Sequence, residues 1–199
     1  MNIAVFASGN GSNFAAISSA IKRGMVRARL ALLVCDNPAA YVIKRAQKAG
    51  VKVALVERGD FSSRKDFEKK IVEHLKKNDV GLIVLAGFMR MLGKTLLRSY
   101  KDRILNIHPA LLPSFKGASG IKDAFDYGVK ITGVTVHFVD ELMDSGPVIL
   151  QAAVKVEEAD TLASLEAKIH KVEHRIYPQV INLFTAGKLK KEGRKVKVL

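Results

Sequence analysis

The chain has 199 residues, 48% of them apolar and 26% charged, with one cysteine and a formal net charge of +14. This length can bury one substantial core, and the composition excludes a disordered or fibrous chain. A lone Cys35 excludes an intramolecular disulfide and a cysteine-cluster metal site, and a pI of about 9.9 fits polyanionic partners or the steering of small anionic substrates.

Met1-Asn2 passes directly into Ile3-Ala4-Val5-Phe6, with no basic leader ahead of a long apolar run, so the expected compartment is the cytoplasm and no membrane span is expected. Strand-length apolar runs follow at Ile3 to Ala7, Leu30 to Val34, Val51 to Val56, Leu82 to Ala86 and Ile104 to Ile107. Between them, Phe14, Ile17 and Ile21, and again Phe67, Ile71 and Leu75, recur at helical spacing. Strand and helix in alternation predict a parallel sheet with right-handed crossovers. After Pro113 the pattern gives a helix near Lys122 to Tyr127, then strands at Ile131 to Val139 and Val148 to Val156 that extend the sheet on either side of an acidic loop. The spacing of Leu162, Leu165, Ile169, Val172, Ile176, Val180 and Leu183 predicts a last helix over Thr161 to Ala186, kinked at Pro178. The basic run from Lys188 to Lys195 reads as solvated surface, since no nucleic-acid motif accompanies it.

The expected fold is one α/β domain, a doubly wound, mostly parallel sheet of about seven strands with helices on both faces. Ligands bind at the carboxyl ends of such strands. The first strand runs into Ser8-Gly9-Asn10-Gly11-Ser12-Asn13, where glycines permit a tight turn, Ser12 or Asn13 can cap, and free N–H groups at a helix start attract an anion. Phe14 stands where a dinucleotide fingerprint would place a third glycine, which favours a mononucleotide; Asp36 could still mimic the ribose carboxylate, and a glycine turn without a ligand is the alternative.

At the end of the fifth strand lies Asn106-Ile107-His108-Pro109, and the two-residue strand period points Asn106 and His108 the same way. An amide donor beside an imidazolium suits an oxyanion developing on a carbonyl; a core histidine held by backbone bonds is the alternative. Asp140 to Pro147 supplies a candidate carboxylate partner that would raise the imidazole pKa, and His137 alternates with Thr135 to face the same cleft.

Five segments together, Ser8 to Asn13, Leu85-Ala86-Gly87-Phe88-Met89-Arg90, Leu105 to Pro109 with Leu111-Leu112-Pro113, Gly133 to Val139, and Asp144-Ser145-Gly146-Pro147, resemble the phosphoribosylglycinamide formyltransferase family, within the wider group of folate-dependent formyltransferases. The match runs in order across nearly the whole chain, and the Ser8 to Asn13 loop is the segment particular to enzymes acting on glycinamide ribonucleotide. The resemblance implies a Rossmann-like formyltransferase fold, with a phosphate-binding half over about residues 1–100 and a catalytic and folate-binding half over about 101–199. It implies catalysis by Asn106, His108 and Asp144, a phosphate held by Gly11, Ser12 and Asn13 with His170 and Lys171 assisting, and a ribose near Glu173. The pterin of 10-formyltetrahydrofolate, the co-substrate, would lie against Met89, Arg90, Met91 and Leu92 and against Asp140, Glu141 and the loop to Asp144, with Arg64 meeting its glutamate tail. Two departures stand out: Lys116 where relatives often have proline, and Ser119 where they often have histidine, a change that could weaken the rate if that histidine orders the acidic loop.

The expected reaction is direct attack of the glycinamide amine on the formyl carbon, in a monomer or homodimer that needs no metal and binds neither nucleic acid nor membrane. A formyltetrahydrofolate deformylase, in which water replaces the amine, is the nearest rival; such enzymes usually carry an extra N-terminal domain. A methionyl-tRNA formyltransferase would need a further C-terminal domain. From another class, a basic nucleotide-binding module on the same sheet would make Asn106, His108 and Asp144 dispensable and its binding steeply salt-dependent.

Overall fold

The structure, a computed structural model, describes all 199 residues. Seven strands form one sheet in the order β3-β2-β1-β4-β5-β6-β7: β1 (Asn2–Phe6), β2 (Arg29–Cys35), β3 (Lys52–Leu55), β4 (Val80–Leu85), β5 (Ile104–His108), β6 (Ile131–Phe138) and β7 (Val148–Lys155). The first five run parallel; β6 and β7 extend the sheet, as the pattern after Pro113 indicated, and they join it antiparallel.

Alternation along β1 explains why both faces are covered. Ile3, Val5 and Ala7 enter a core with α1 (Ser12–Lys22), α2 (Tyr41–Ala49) and α6 (Leu162–Thr185), whereas Ala4 and Phe6 enter a second core beneath α3 (Arg64–Lys77) and α4 (Lys94–Ser99). α5 (Gly120–Tyr127) precedes β6. The long helix α6 starts on a capping box between Thr161 and Ser164 and continues through Pro178.

Three features differ from the sequence reading. α2 and α4 were not expected: α2 opens at Tyr41 without a side-chain cap, and α4 is only six residues long. The N-cap of α1 is Gly11, at φ +76°, and neither Ser12 nor Asn13 supplies a cap through its side chain. The basic C-terminal run is an ordered antiparallel hairpin, β8 (Leu189–Glu192) and β9 (Lys195–Val198), whose charged residues face solvent while Leu189 and Val196 pack against the main core.

Strands β4 and β5 are tied together from behind. Tyr177 on α6 is fully buried and its hydroxyl bridges to the carbonyls of Leu85 (2.7 Å), the last residue of β4, and Leu105 (3.1 Å), within the neighbouring strand β5.

Candidate active site

A cleft of about 630 Å³ opens at the carboxyl ends of β1, β4 and β5, lined by three groups of residues: the Gly9 to Asn13 loop, the segment from Leu85 to Leu92, and the cluster of Asn106, His108, His137 and Asp144. This is the crevice that a parallel sheet leaves where successive crossovers go to opposite faces, between β1 and β4.

The polar cluster follows from strand register. Asn106 and His108 project to the same side of β5, and antiparallel pairing sets Asn106 opposite His137 and His108 opposite Thr135 on β6. Asp144 arrives from the loop between β6 and β7, at φ +48°, with its carboxylate between the two histidines. Its Oδ2 is 3.4 Å from His108 Nδ1 and accepts from the Gly117 N–H at 2.9 Å; its Oδ1 accepts from Asn106 Nδ2 at 3.4 Å and lies 3.7 Å from His137 Nε2.

The network assigns the protons. His137 Nδ1 is 2.7 Å from the Phe138 carbonyl and donates to it, and its Nε2 faces both Asn106 Nδ2 at 3.2 Å and Asp144 Oδ1 at 3.7 Å. His108 Nε2, 2.7 Å from the Phe115 carbonyl, is also a donor, so a neutral His108 presents its Nδ1 lone pair to the Asp144 carboxylate and only the imidazolium satisfies both sides.

Burial is nonetheless the largest influence on His108 and pulls its pKa below the ordinary histidine value, ahead of the opposing pull of Asp144 and the Phe115 carbonyl. The sequence reading expected Asp144 to raise it; the ring is 3% exposed, and 3.4 Å is too long a contact for the carboxylate to offset that desolvation. For Asp144, burial pushes the carboxyl up, but the His137 imidazole, the Gly117 N–H and His108 together outweigh it and hold the group below the usual carboxylate range.

At the other end of the cleft is the start of α1. No intrahelical acceptor exists for the first N–H groups, the earliest backbone bond being Ala15 N–H to the Gly11 carbonyl, so the Ser12 and Asn13 amides point outward. Glu173 on α6, 4% exposed, accepts from Asn13 Nδ2 at 3.0 Å and from His170 Nδ1 at 2.8 Å, and that contact holds His170 above the ordinary histidine value against its partial burial. Lys171, one residue on, sits about 100° round the helix, is exposed, and does not line the cleft.

The third wall is apolar: Met89, Met91, Leu142 and Met143 are more than half exposed around the mouth, with Leu92, Asp140 and Glu141 beside them. Arg64 does not line the cleft. It donates to the Met91 carbonyl and pairs at 3.4 Å with buried Glu68, whose carboxylate also accepts from the Gly93 and Leu96 N–H groups, so this pair fixes the segment from Met89 to Gly93. Arg90 lines the cleft but its guanidinium pairs with Asp36, whose other oxygen accepts from Ser8 Oγ at 2.5 Å. Asp36 is thereby engaged and cannot serve as a free ribose acceptor. The Phe115 carbonyl and the Gly117 N–H, which fix the proton positions of the cluster, are backbone groups and carry no side-chain signal in the sequence. No group of three or more His, Cys, Asp or Glu residues is arranged to hold a metal ion, and no helix is long and apolar enough to cross a membrane.

A family model described as formyl transferase matches residues 1–181. The chain is 50% identical over 178 residues to the phosphoribosylglycinamide formyltransferase of Bacillus subtilis, covering 89% of this chain and 91% of that one. It is 37% identical to the enzyme of the same name from Escherichia coli, over 96% and 90% of the two chains. Glycinamide ribonucleotide transformylase 1 from Symbiobacterium toebii superposes with a TM-score of 0.98 at 43% identity, over 100% of this chain and 94% of that one.

Proposed function

The chain belongs to the formyl transferase family, and on that premise we infer that it transfers the formyl group of 10-formyltetrahydrofolate to the amine of glycinamide ribonucleotide, a step of purine synthesis. Formyl-glycinamide ribonucleotide and tetrahydrofolate are the products. The observation that carries the reading is the placement of Asn106, His108 and Asp144 between an anion-binding helix start and an apolar wall within one cleft.

Each part of the substrates has a complementary surface. The ribonucleotide phosphate takes the N–H groups of Gly11, Ser12 and Asn13, where the helix dipole adds favourable charge, and His170, whose pKa Glu173 raises, stands beside it. Glu173 accepts from a ribose hydroxyl. The pterin lies on Met89, Met91 and Leu92 with Arg90 behind, against the loop bearing Asp140, Glu141 and Asp144. Arg64, anchored to the Met91 carbonyl, is the proposed contact for the glutamate tail, and Lys171 contributes long-range charge only.

The amine lone pair forms the new C–N bond as the carbonyl pair moves onto oxygen. That oxyanion accepts from the Asn106 N–H that otherwise makes the long 3.4 Å contact with Asp144, and from Nδ1–H of the His108 imidazolium, whose loose 3.4 Å contact with Asp144 lets the proton be shared. The developing negative charge favours the imidazolium that burial alone disfavours. Attack leaves the nitrogen as an ammonium, whose proton Asp144 takes up; the oxyanion pair then re-forms the carbonyl as the bond from carbon to the folate nitrogen breaks, and Asp144 passes that proton to the leaving nitrogen. His137 lines the cleft and orients the Asn106 amide. The chain works as a single unit, because Glu173 and His170 of its second half complete the phosphate site of the first. A cytoplasmic location suits the buried free thiol of Cys35, and a monomer or homodimer belongs to the same proposal.

Removing one oxyanion donor lowers turnover by about a hundred- to a thousandfold, so Asn106→Ala and His108→Ala are each expected to fall by that much while remaining folded by circular dichroism at the assay temperature. Near-normal turnover in both would end this assignment of the site.

A further inference from the structure

The segment that carries Asp144 has little structure of its own. It joins β6 to β7 outside any ladder, Glu141, Leu142 and Met143 are exposed, and Asp144 occupies the left-handed region. Within it, Leu142 N–H bonds Asp140 Oδ1 and Ser145 Oγ bonds the Met143 carbonyl, each at 3.0 Å. These local turns do not tie Asp144 to His108.

The ties come from outside. Two cations converge on Ser145, the residue after Asp144: Lys116 Nζ donates to its Oγ at 2.7 Å, and Arg194 Nη1 donates to its backbone carbonyl at 2.9 Å. Lys116 sits between Phe115, whose carbonyl holds His108, and Gly117, whose N–H holds Asp144. Position 119, in contrast, is a serine that caps α5 without a side-chain hydrogen bond. Arg194 lies in the turn of the β8–β9 hairpin, beyond the residues that the family model covers. That hairpin is itself anchored, through Leu189 and Val196 packed against the core and through Lys191 paired with Asp102.

We propose that Lys116 and Arg194 form a brace on Ser145 that holds Asp144 against His108, which makes the C-terminal hairpin a positioning element of the active site. The proposal rests on the catalytic reading of Asp144 given above. An unbraced loop must be ordered again in each turnover, and misplacement of a catalytic group by about an ångström is costly. Because both contacts are exposed at the surface, the effect is moderate: a few-fold in kcat for either single alanine variant, and about tenfold for the pair, equivalent to about 1.4 kcal/mol.

The test compares Lys116→Ala, Arg194→Ala, their double variant, Arg194→Lys and Asp144→Asn in the full chain. It measures kcat, KM for each substrate, the pH dependence of kcat, and Tm. The brace predicts that kcat falls in the double variant with KM for glycinamide ribonucleotide and Tm unchanged. It also predicts an acid limb displaced to higher pH, as Asp144 loses its fixed Gly117, His108 and His137 neighbours, and recovery in Arg194→Lys, which keeps a charged donor. Wild-type kcat and pH profile in the double variant overturn the brace, as does a loss that follows Tm and is not recovered by Arg194→Lys. Asp144→Asn separates the two levels: if it is silent while the brace variants are normal, only the brace fails, whereas wild-type turnover in Asp144→Asn removes the catalytic reading beneath it.

Discussion

Gly11 is where the Ser8 to Asn13 loop meets α2, and a single methyl group there tests both the packing and the proposed role of the loop in holding phosphate. A Cβ on Gly11 would lie 2.4 Å from Val42 Cγ2, 2.6 Å from Val42 Cβ and 3.1 Å from Val42 Cα. Val42 is fully buried and its N–H is bonded to the Gly9 carbonyl at 3.1 Å, so it cannot step aside without moving α2 or the loop. Gly11 also sits at φ +76°, which costs a residue bearing a Cβ about 1–2 kcal/mol. Overpacking adds about 1–3 kcal/mol. With 1 kcal/mol worth about 2–4 °C in a chain of this size, Gly11→Ala should lower Tm by on the order of 10 °C. The displaced Ser12 and Asn13 amides should also raise KM for the ribonucleotide more than KM for the folate. Thermal denaturation and steady-state kinetics on Gly11→Ala and Gly11→Asn separate the causes. Asparagine tolerates the left-handed backbone but brings the same Cβ, so equal losses identify the collision and a milder Asn variant identifies the backbone. Unchanged Tm and KM in Gly11→Ala would refute the reasoning.

Two further expectations follow from the geometry behind the cleft. Tyr177→Phe removes the hydroxyl that serves the Leu85 and Leu105 carbonyls in a fully buried setting and should cost about 1–3 kcal/mol in denaturant unfolding; a loss under a few tenths would mean that the hydroxyl contributes nothing net. His170 has its folded pKa raised by Glu173, so its stabilising contribution is fully present below the unfolded value of about 6.5 and is lost as pH rises through the folded value. The Tm difference between the wild type and His170→Gln should therefore be larger near about pH 6 than near about pH 8.5, and the reverse order would contradict the pairing.

The sheet was legible because its central strands are buried on both faces and read as short apolar runs, and because α1, α3 and α6 carry long apolar stripes. α4 was not, being too short for a period to show, and the β8–β9 hairpin was hidden because only Leu189 and Val196 turn inward among lysines and glutamate. In the site, Asn106, His108 and His137 were readable from strand alternation, and Asp144 from its loop. The sequence could not show that Arg64 and Arg90 turn toward Met91 and Asp36, or that Lys171 faces away from the cleft, since those outcomes depend on side-chain direction. Nor could it set the protonation of His108, where the depth of burial decides against the nearby carboxylate.

The most direct test of the account is an absorbance assay of folate release from 10-formyltetrahydrofolate, run with and without glycinamide ribonucleotide and repeated with Asn106→Ala. The account predicts release only when the ribonucleotide is present, and its loss by about a hundredfold or more in the variant. Release without the ribonucleotide would make water the acceptor and the chain a deformylase, and equal turnover in Asn106→Ala would contradict the site.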